Sequence, residues 1–267
     1  MSEVQLKVLS WNLHGLAWPL SKDPRGRMDR VSAKVRELAP DIVLLQEVWL
    51  ASYAERLSSA FRPDWSPLCV RRRGGGPKGG LLIFVGASAG WAALCAPEFH
   101  AFAASAPAWR IWEGDGLAGK GVLTVELGRG ERRINVVNAH LQSQYSGHDY
   151  SEVREAQLGE LAKVVSKIHP SVPAIVAGDL NTDAREPLYS HIAALGTDLT
   201  AETRQLSNGG TTANPRDGLP EWIDYVVAAN LGAWPVSIDL ELVANQSADV
   251  PYSDHSGLFC VIRLTLK

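Results

Sequence analysis

Ile175-Val176-Ala177-Gly178-Asp179-Leu180-Asn181 is the stretch from which the fold is read. An apolar run that ends in glycine and then delivers an Asp and an Asn two positions apart describes a buried strand that stops at a sheet edge and presents polar side chains there. Pro173 precedes the run, and Thr182-Asp183 follows it as a turn into a helical stretch from Arg185 to Gly196. Alternate residues of a strand point the same way, so Asp179 and Asn181 are expected to face a common cleft if strand geometry persists that far. Gly178 to Asn181 also suits a plain Asx turn that closes a strand.

Working outward, the same device recurs. Val4 to Trp11 alternates as a strand and exits through Asn12. Asp41 to Gln46 is a second strand, ending at Glu47, and Arg133 to Leu141 is another, carrying His140 at its end. Trp222 to Ala228 holds Asp224, and the last strand, Leu258 to Leu266, is preceded by Ser253-Asp254-His255. Helical spacing of apolar residues marks Met28 to Leu38, Leu50 to Phe61 and, most clearly, Tyr150 to Ile168. Further strands are expected at Leu68 to Arg72, Leu81 to Val85, Val122 to Leu127 and Pro235 to Leu242, with irregular chain from Thr197 to Pro220. Strands with helices inserted at two points and hairpins elsewhere predict a mixed sheet pair with helices outside, not a doubly wound parallel sheet.

The chain has 267 residues, 46% of them hydrophobic and 21% charged, with a net charge of −3 and a pI near 6.2. That length suits one layered α/β domain spanning residues 1–267. No global positive field exists to collect a polyanion, which lowers the expectation of nucleic acid as partner, although Arg71-Arg72-Arg73 is a local cationic cluster. Cys69, Cys95 and Cys260 lack metal-ligand spacing and read as core thiols. Gly79 to Pro97 carries no charge, but its glycines fit two adjacent strands better than a membrane span. The start of the chain has no basic, apolar leader, so the expectation is a cytoplasmic protein.

Asn12, Glu47, His140, Asp179, Asn181, Asp224, Asp254 and His255 all fall at strand ends, and one sheet edge would gather them. Taken singly, each has a plain structural reading: a turn cap, a solvent-facing acid, a satisfied core histidine, a turn pair. No cluster of cysteines or histidines completes a zinc site. Hard oxygen donors dominate, which favours magnesium, or manganese or another divalent cation, held through few protein groups and several waters.

Trp11-Asn12, Gln46-Glu47, Asn138 to Leu141, Gly178 to Asn181, Ile223-Asp224-Tyr225 and Ser253-Asp254-His255, in that order, resemble the motifs of the endonuclease/exonuclease/phosphatase superfamily. The resemblance implies a DNase I-like fold, a four-layer α/β sandwich of two packed mixed β-sheets flanked by helices. Glu47-Val48-Trp49, Gly119-Lys120-Gly121 after Asp115, and His140-Leu141-Gln142 followed by Tyr145 resemble its neutral sphingomyelinase branch. Trp222 departs from that branch, which carries arginine before Ile-Asp-Tyr.

The resemblance implies a metal-dependent phosphodiesterase of the phospholipase C type. Its substrate would be a phospholipid phosphodiester, cleaved to a phosphorylated head group and a lipid alcohol, with an endonuclease or other phosphodiesterase as the alternative. By resemblance Asn12 and Glu47 hold the metal ion, His255 is a general base oriented by Asp254, His140 and Asn181 donate to the developing charge on phosphorus, and Asp179 orients the nucleophile or shares the base role. Trp109, Ile111 and Trp112 form either an interfacial aromatic loop for peripheral membrane contact or core packing under a loop. Asp115 and Lys120 either organise that segment or form a solvated turn pair.

Overall fold

The computed structural model describes residues 2–17, 21, 23–107, 119–145, 147–207, 209–231, 236–243, 246–247 and 250–266. Trp109, Ile111, Trp112 and Asp115 lie outside the described residues.

Two mixed sheets are built around the same unit, a strand, a crossing helix and a parallel strand. In the first, β1 (Ser2–Asn12) leads through the helix Pro24–Leu38 to β2 (Ile42–Gln46), which lies parallel beside it. In the second, β8 (Arg132–His140) leads through the helix Ser151–Ser166 to β9 (Ala174–Asp179), again parallel. Parallel neighbours need such a crossover, and a helix supplies the length. Antiparallel strands complete each sheet. The first runs β12 (Val236–Val243), β15 (Gly257–Leu266), β1, β2, β4 (Leu82–Gly86), β3 (Trp65–Leu68). The second runs β10 (Thr197–Asp198), β11 (Asp224–Ala229), β9, β8, β7 (Gly121–Arg129), and β7 is flanked by β5 (Ala92–Ala93) and β6 (Glu98–Ala101).

Alternation along β1 shows how the layers form. Leu6 and Val8 turn into the core between the sheets, beside Val122, Val136 and Val176. Leu9 and Trp11 turn to the other face, where Met28, Val31 and Val35 of the first helix and Leu57 and Phe61 of the helix Ala51–Phe61 cover them. Leu158, Leu161 and Val165 of the helix Ser151–Ser166 join the larger core from the second sheet's side. Two apolar sheets, each closed on its outer face by helices, give the four layers.

A polar clamp crosses the sheets. Asn138 on β8 donates from Nδ2 to the carbonyls of Leu45 on β2 (3.0 Å) and Leu82 on β4 (3.2 Å), and its Oδ1 accepts from Gln46 Nε2 at 2.8 Å. Both side chains are fully buried.

Several expected elements differ. The strand expected at Leu68 to Arg72 is Trp65–Leu68, because the glycines at 74–76 turn the chain back early and Arg71 bridges Pro77. β3 is an edge strand, which tolerates Pro67. The stretch from Gly79 to Pro97 does hold strands, but β4 and β5 belong to different sheets. The helix expected from Arg185 to Gly196 is reduced to Tyr189–Ala193, since Pro187 interrupts its start. The segment after Thr197 contains β10 and a helical turn, Ala201–Leu206. No helix among the described residues is long and apolar enough to cross a membrane.

Candidate active site

Sheet register fixes where the polar side chains meet. Asn12 ends β1 opposite Gln46 at the end of β2, and His140 ends β8 opposite Asp179 at the end of β9. Antiparallel strands begin where parallel ones finish, so Asp224 starts β11 opposite Asp179, and His255 precedes β15 beside the end of β1. All lie at one rim, the carboxyl ends of the central parallel strands, where open α/β sheets place their ligands.

The turns leaving those strands are sharp. Glu47 (φ 59°), Asn181 (φ 48°) and His14 (φ 46°) all adopt the left-handed conformation, which non-glycine residues hold only when their surroundings impose it. Gly15 allows the loop after β1 to press on the Glu47 turn, since a Cβ there would lie 2.2 Å from the Glu47 carbonyl oxygen.

Asn12 is the hub. Its Nδ2 donates to Glu47 Oε1 at 3.1 Å and to Asp179 Oδ2 at 2.9 Å, while its Oδ1 accepts from the His14 backbone N–H at 3.0 Å. His140 Nε2 lies 3.5 Å from Asp179 Oδ2 and 3.8 Å from Glu47 Oε1. His255 Nε2 lies 3.8 Å from Asp179 Oδ2, and its Nδ1 meets Asp224 Oδ2 at 2.9 Å. The structure therefore brings together Asn12, Glu47, His140, Asp179 and His255 from five separate strand ends.

Two predicted residues stand differently. Asp254 does not hold His255, because consecutive residues of an extended segment point to opposite sides. Its Oδ2 instead meets His14 Nδ1 at 2.6 Å and accepts from Asn214 Nδ2 at 3.1 Å. Asp224, from the next sheet, takes the position beside His255. Asn181 does not continue the strand, which ends at Asp179. Its N–H bonds Asp179 Oδ1 at 3.0 Å in an Asx turn, and its Nδ2 donates to the Leu141 carbonyl at 2.9 Å.

Lys120 enters the centre although the sequence marks it only as part of a loop motif. Its buried Nζ lies 2.7 Å from His140 Nε2. A Lys120 ammonium donates to Nε2 when His140 is the neutral tautomer protonated on Nδ1, a buried atom with no hydrogen-bond partner among the described residues. Burial first, then the charges of Lys120 and His255, hold its pKa well below the ordinary value, and the ring is neutral. The flanking glycines, Gly119 and Gly121, are the only local sign that Lys120 is drawn inward.

The three carboxylates set the electrostatics. Burial, reinforced by the charge of Asp224, pushes Asp179 up to about 7, against the opposing charges of His255 and Lys120. Burial also works against a charged His255, but the charges of Asp224 and Asp179 and the hydrogen bond to Asp224 outweigh it and hold its pKa well above the ordinary value. Three carboxylates, the half-buried Glu47 and the buried Asp179 and Asp224, thus face two cations, Lys120 and His255.

That imbalance, with carboxylate oxygens as the main donors, fits a hard divalent cation. Asp179, Asp224 and His255 place ligand atoms within 4.8 Å of one another. Of the predicted pair, Glu47 turns an oxygen toward Asp179, whereas Asn12 presents N–H groups to both carboxylates. For Asn12 to serve as an oxygen ligand, its amide must turn over and release the His14 N–H.

The endonuclease/exonuclease/phosphatase family matches residues 9–255 of this chain. A Drosophila melanogaster protein named "Putative neutral sphingomyelinase" is 28% identical over 189 residues, which cover 70% of this chain and 41% of that protein, so the matched stretch spans less than half of the relative. Among solved structures, beta toxin from Staphylococcus aureus with bound magnesium ions superposes with a TM-score of 0.76 at 19% identity, covering 97% of this chain and 99% of that one. D. rerio TDP2 complexed with single-strand DNA product gives a TM-score of 0.73 at 18% identity, covering 97% and 98%. At those identities the likeness is one of fold.

Proposed function

This chain belongs to the endonuclease/exonuclease/phosphatase family, and from that premise we propose that it is a divalent-cation-dependent phosphodiesterase of the phospholipase C type, acting on sphingomyelin or a related phospholipid. The observation that carries the hydrolytic reading is the convergence, at one rim, of Glu47 and Asp179 around Asn12 with the Asp224–His255 pair 3.8 Å from Asp179. The phospholipid assignment rests on the sequence match to the fly relative and on the motif resemblance.

A phosphodiester resists attack because an incoming oxygen meets anionic oxygens. Glu47 and Asp179 would hold the cation, with Asn12 fixing their orientation. Held there, magnesium or a similar ion would supply Lewis acidity at a phosphoryl oxygen and would offset the Asp179 share of the field that keeps His255 protonated. His255 takes the proton of the attacking water at Nε2, since Nδ1 is committed to Asp224, whose charge stabilises the imidazolium that forms. Lys120, 2.7 Å from His140 Nε2, would add a positive charge to the stabilisation of the charge that builds on phosphorus.

The test is a side-by-side assay with sphingomyelin, phosphatidylcholine, a chromogenic phosphodiester and plasmid DNA, each with magnesium and with chelator. Hydrolysis of the lipid and the chromogenic ester with magnesium, abolished by chelator, is the expected result. Plasmid cleavage without lipid hydrolysis would overturn the phospholipid assignment in favour of a nuclease.

A further inference from the structure

Arg71, Arg72, Arg73 and Lys78 occupy the glycine-rich turn between β3 and β4, and all four are exposed. None has a carboxylate partner among the described residues, whereas Arg36, Arg56 and Arg133, equally exposed, each reach one. In a chain of net charge −3, this is a local concentration of uncompensated positive charge. The turn is braced by hydrogen bonds from Arg72 N to Gly76 O (2.9 Å), Lys78 N to Val70 O (2.8 Å) and Arg71 Nη1 to Gly75 O (2.7 Å). It is also tied to the active site. Arg72 Nη2 donates to the Trp49 carbonyl at 2.7 Å, two residues from Glu47, and the Trp49 ring lies 6.1 Å from that of His140.

We propose that this turn docks the protein on an anionic phospholipid surface and so presents the mouth of the active site to the bilayer. The choice of surface rests on the phospholipid reading above. Charge complementarity requires a polyanion, and arginine forks suit phosphate oxygens. The cations are gathered at the tip of one turn. A nucleic acid strand, with its phosphates spaced along a line, calls for cations spread along a groove. A compact tip against a planar array of head groups needs no such track, and each basic residue near an anionic surface adds attraction that fades within a Debye length.

The experiment is co-sedimentation of the full chain with vesicles of phosphatidylcholine alone and of phosphatidylcholine mixed with phosphatidylserine, at low and high salt. Binding is expected only with phosphatidylserine, weakening with salt. Arg71→Ala/Arg73→Ala/Lys78→Ala should weaken it by roughly 100-fold. Arg71→Lys/Arg73→Lys should retain most of it, as a charge effect requires, and a urea-unfolding midpoint of the triple variant equal to that of the parent chain excludes misfolding as the cause. Arg72 is left in place because it braces Trp49. The measurement needs no turnover, so it reads the docking surface even if the assigned substrate is wrong. Binding that ignores phosphatidylserine, or a triple variant that binds vesicles normally while losing affinity for plasmid DNA, would overturn the proposal.

Discussion

Asp224 sits 2.9 Å from His255 Nδ1, and that contact governs the pH at which Nε2 is free to accept a proton. Burial opposes the charged ring, and the Asp224 charge is the largest influence working the other way. Asp224→Asn is therefore expected to lower the His255 pKa and move the acidic limb of the pH–rate profile to lower pH. Asp254→Asn, which breaks the His14 contact instead, should move that limb less. A limb unmoved in Asp224→Asn would show that another group is the base. His255→Ala should reduce turnover by roughly 10²–10⁴, the usual scale for a lost acid/base group, as single-turnover assays would show. The two histidine partners also show what sequence hides at this scale. Asp254 adjoins His255 in the chain and invites pairing with it, yet alternation sends the two apart, while Asp224 becomes its neighbour only through the antiparallel register of β11 with β9.

Among the elements, β8 and β9 hold the site open by approaching each other closely. Gly178 has φ 145°, and a Cβ there would lie 1.9 Å from the Ala139 carbonyl oxygen. Gly178→Ala must push the parallel strands apart and is expected to destabilise the fold by roughly 3 kcal/mol or more, measured by urea unfolding. Asn138→Leu removes a side chain that serves two carbonyls and Gln46 at once, leaving buried polar groups unpaired. A loss of about 3 kcal/mol is expected in the same measurement, whereas a neutral result would mean that water replaces the clamp. Much of this level was legible beforehand: β1, β2, β8, β9 and the helix Ser151–Ser166 follow from local apolar periodicity, and their polar exits mark the rim. The division of the chain between Leu81 and Phe102 was not, because whether a short apolar strand joins one sheet or the other depends on partners far away in sequence. The short helix at Ala201–Leu206 was hidden for another reason, having no fully buried face to impose a pattern.

At the scale of the whole molecule, the site works against the stability of the fold until a cation arrives. Asp179 is raised from 3.8 to about 7, so the folded protein binds a proton more tightly there than the unfolded chain does. Keeping that carboxylate ionised in the cation-free protein penalises folding, and the penalty develops as pH climbs from about 4 to about 7. His255 adds in the same direction. Its raised pKa contributes stability that is complete below 6.5 and lost as pH rises through the folded value. Below pH 6.5 the depressed pKa of His140 works the other way, so together the shifts predict that the cation-free protein, in chelator, becomes less stable from pH 6.5 to pH 8. Magnesium held at the proposed site would bind the ionised carboxylates, so its stabilising effect should be larger at pH 8 than at pH 5, reaching about 2.7 kcal/mol at a hundredfold excess over its dissociation constant. Thermal unfolding at both pH values, with magnesium and with chelator, measures the difference directly. Asp179→Asn should reduce the pH dependence in chelator and shrink the magnesium increment together, because that carboxylate contributes to both. A variant that keeps the full magnesium increment would place the cation away from β9, on the Glu47 side of Asn12 alone.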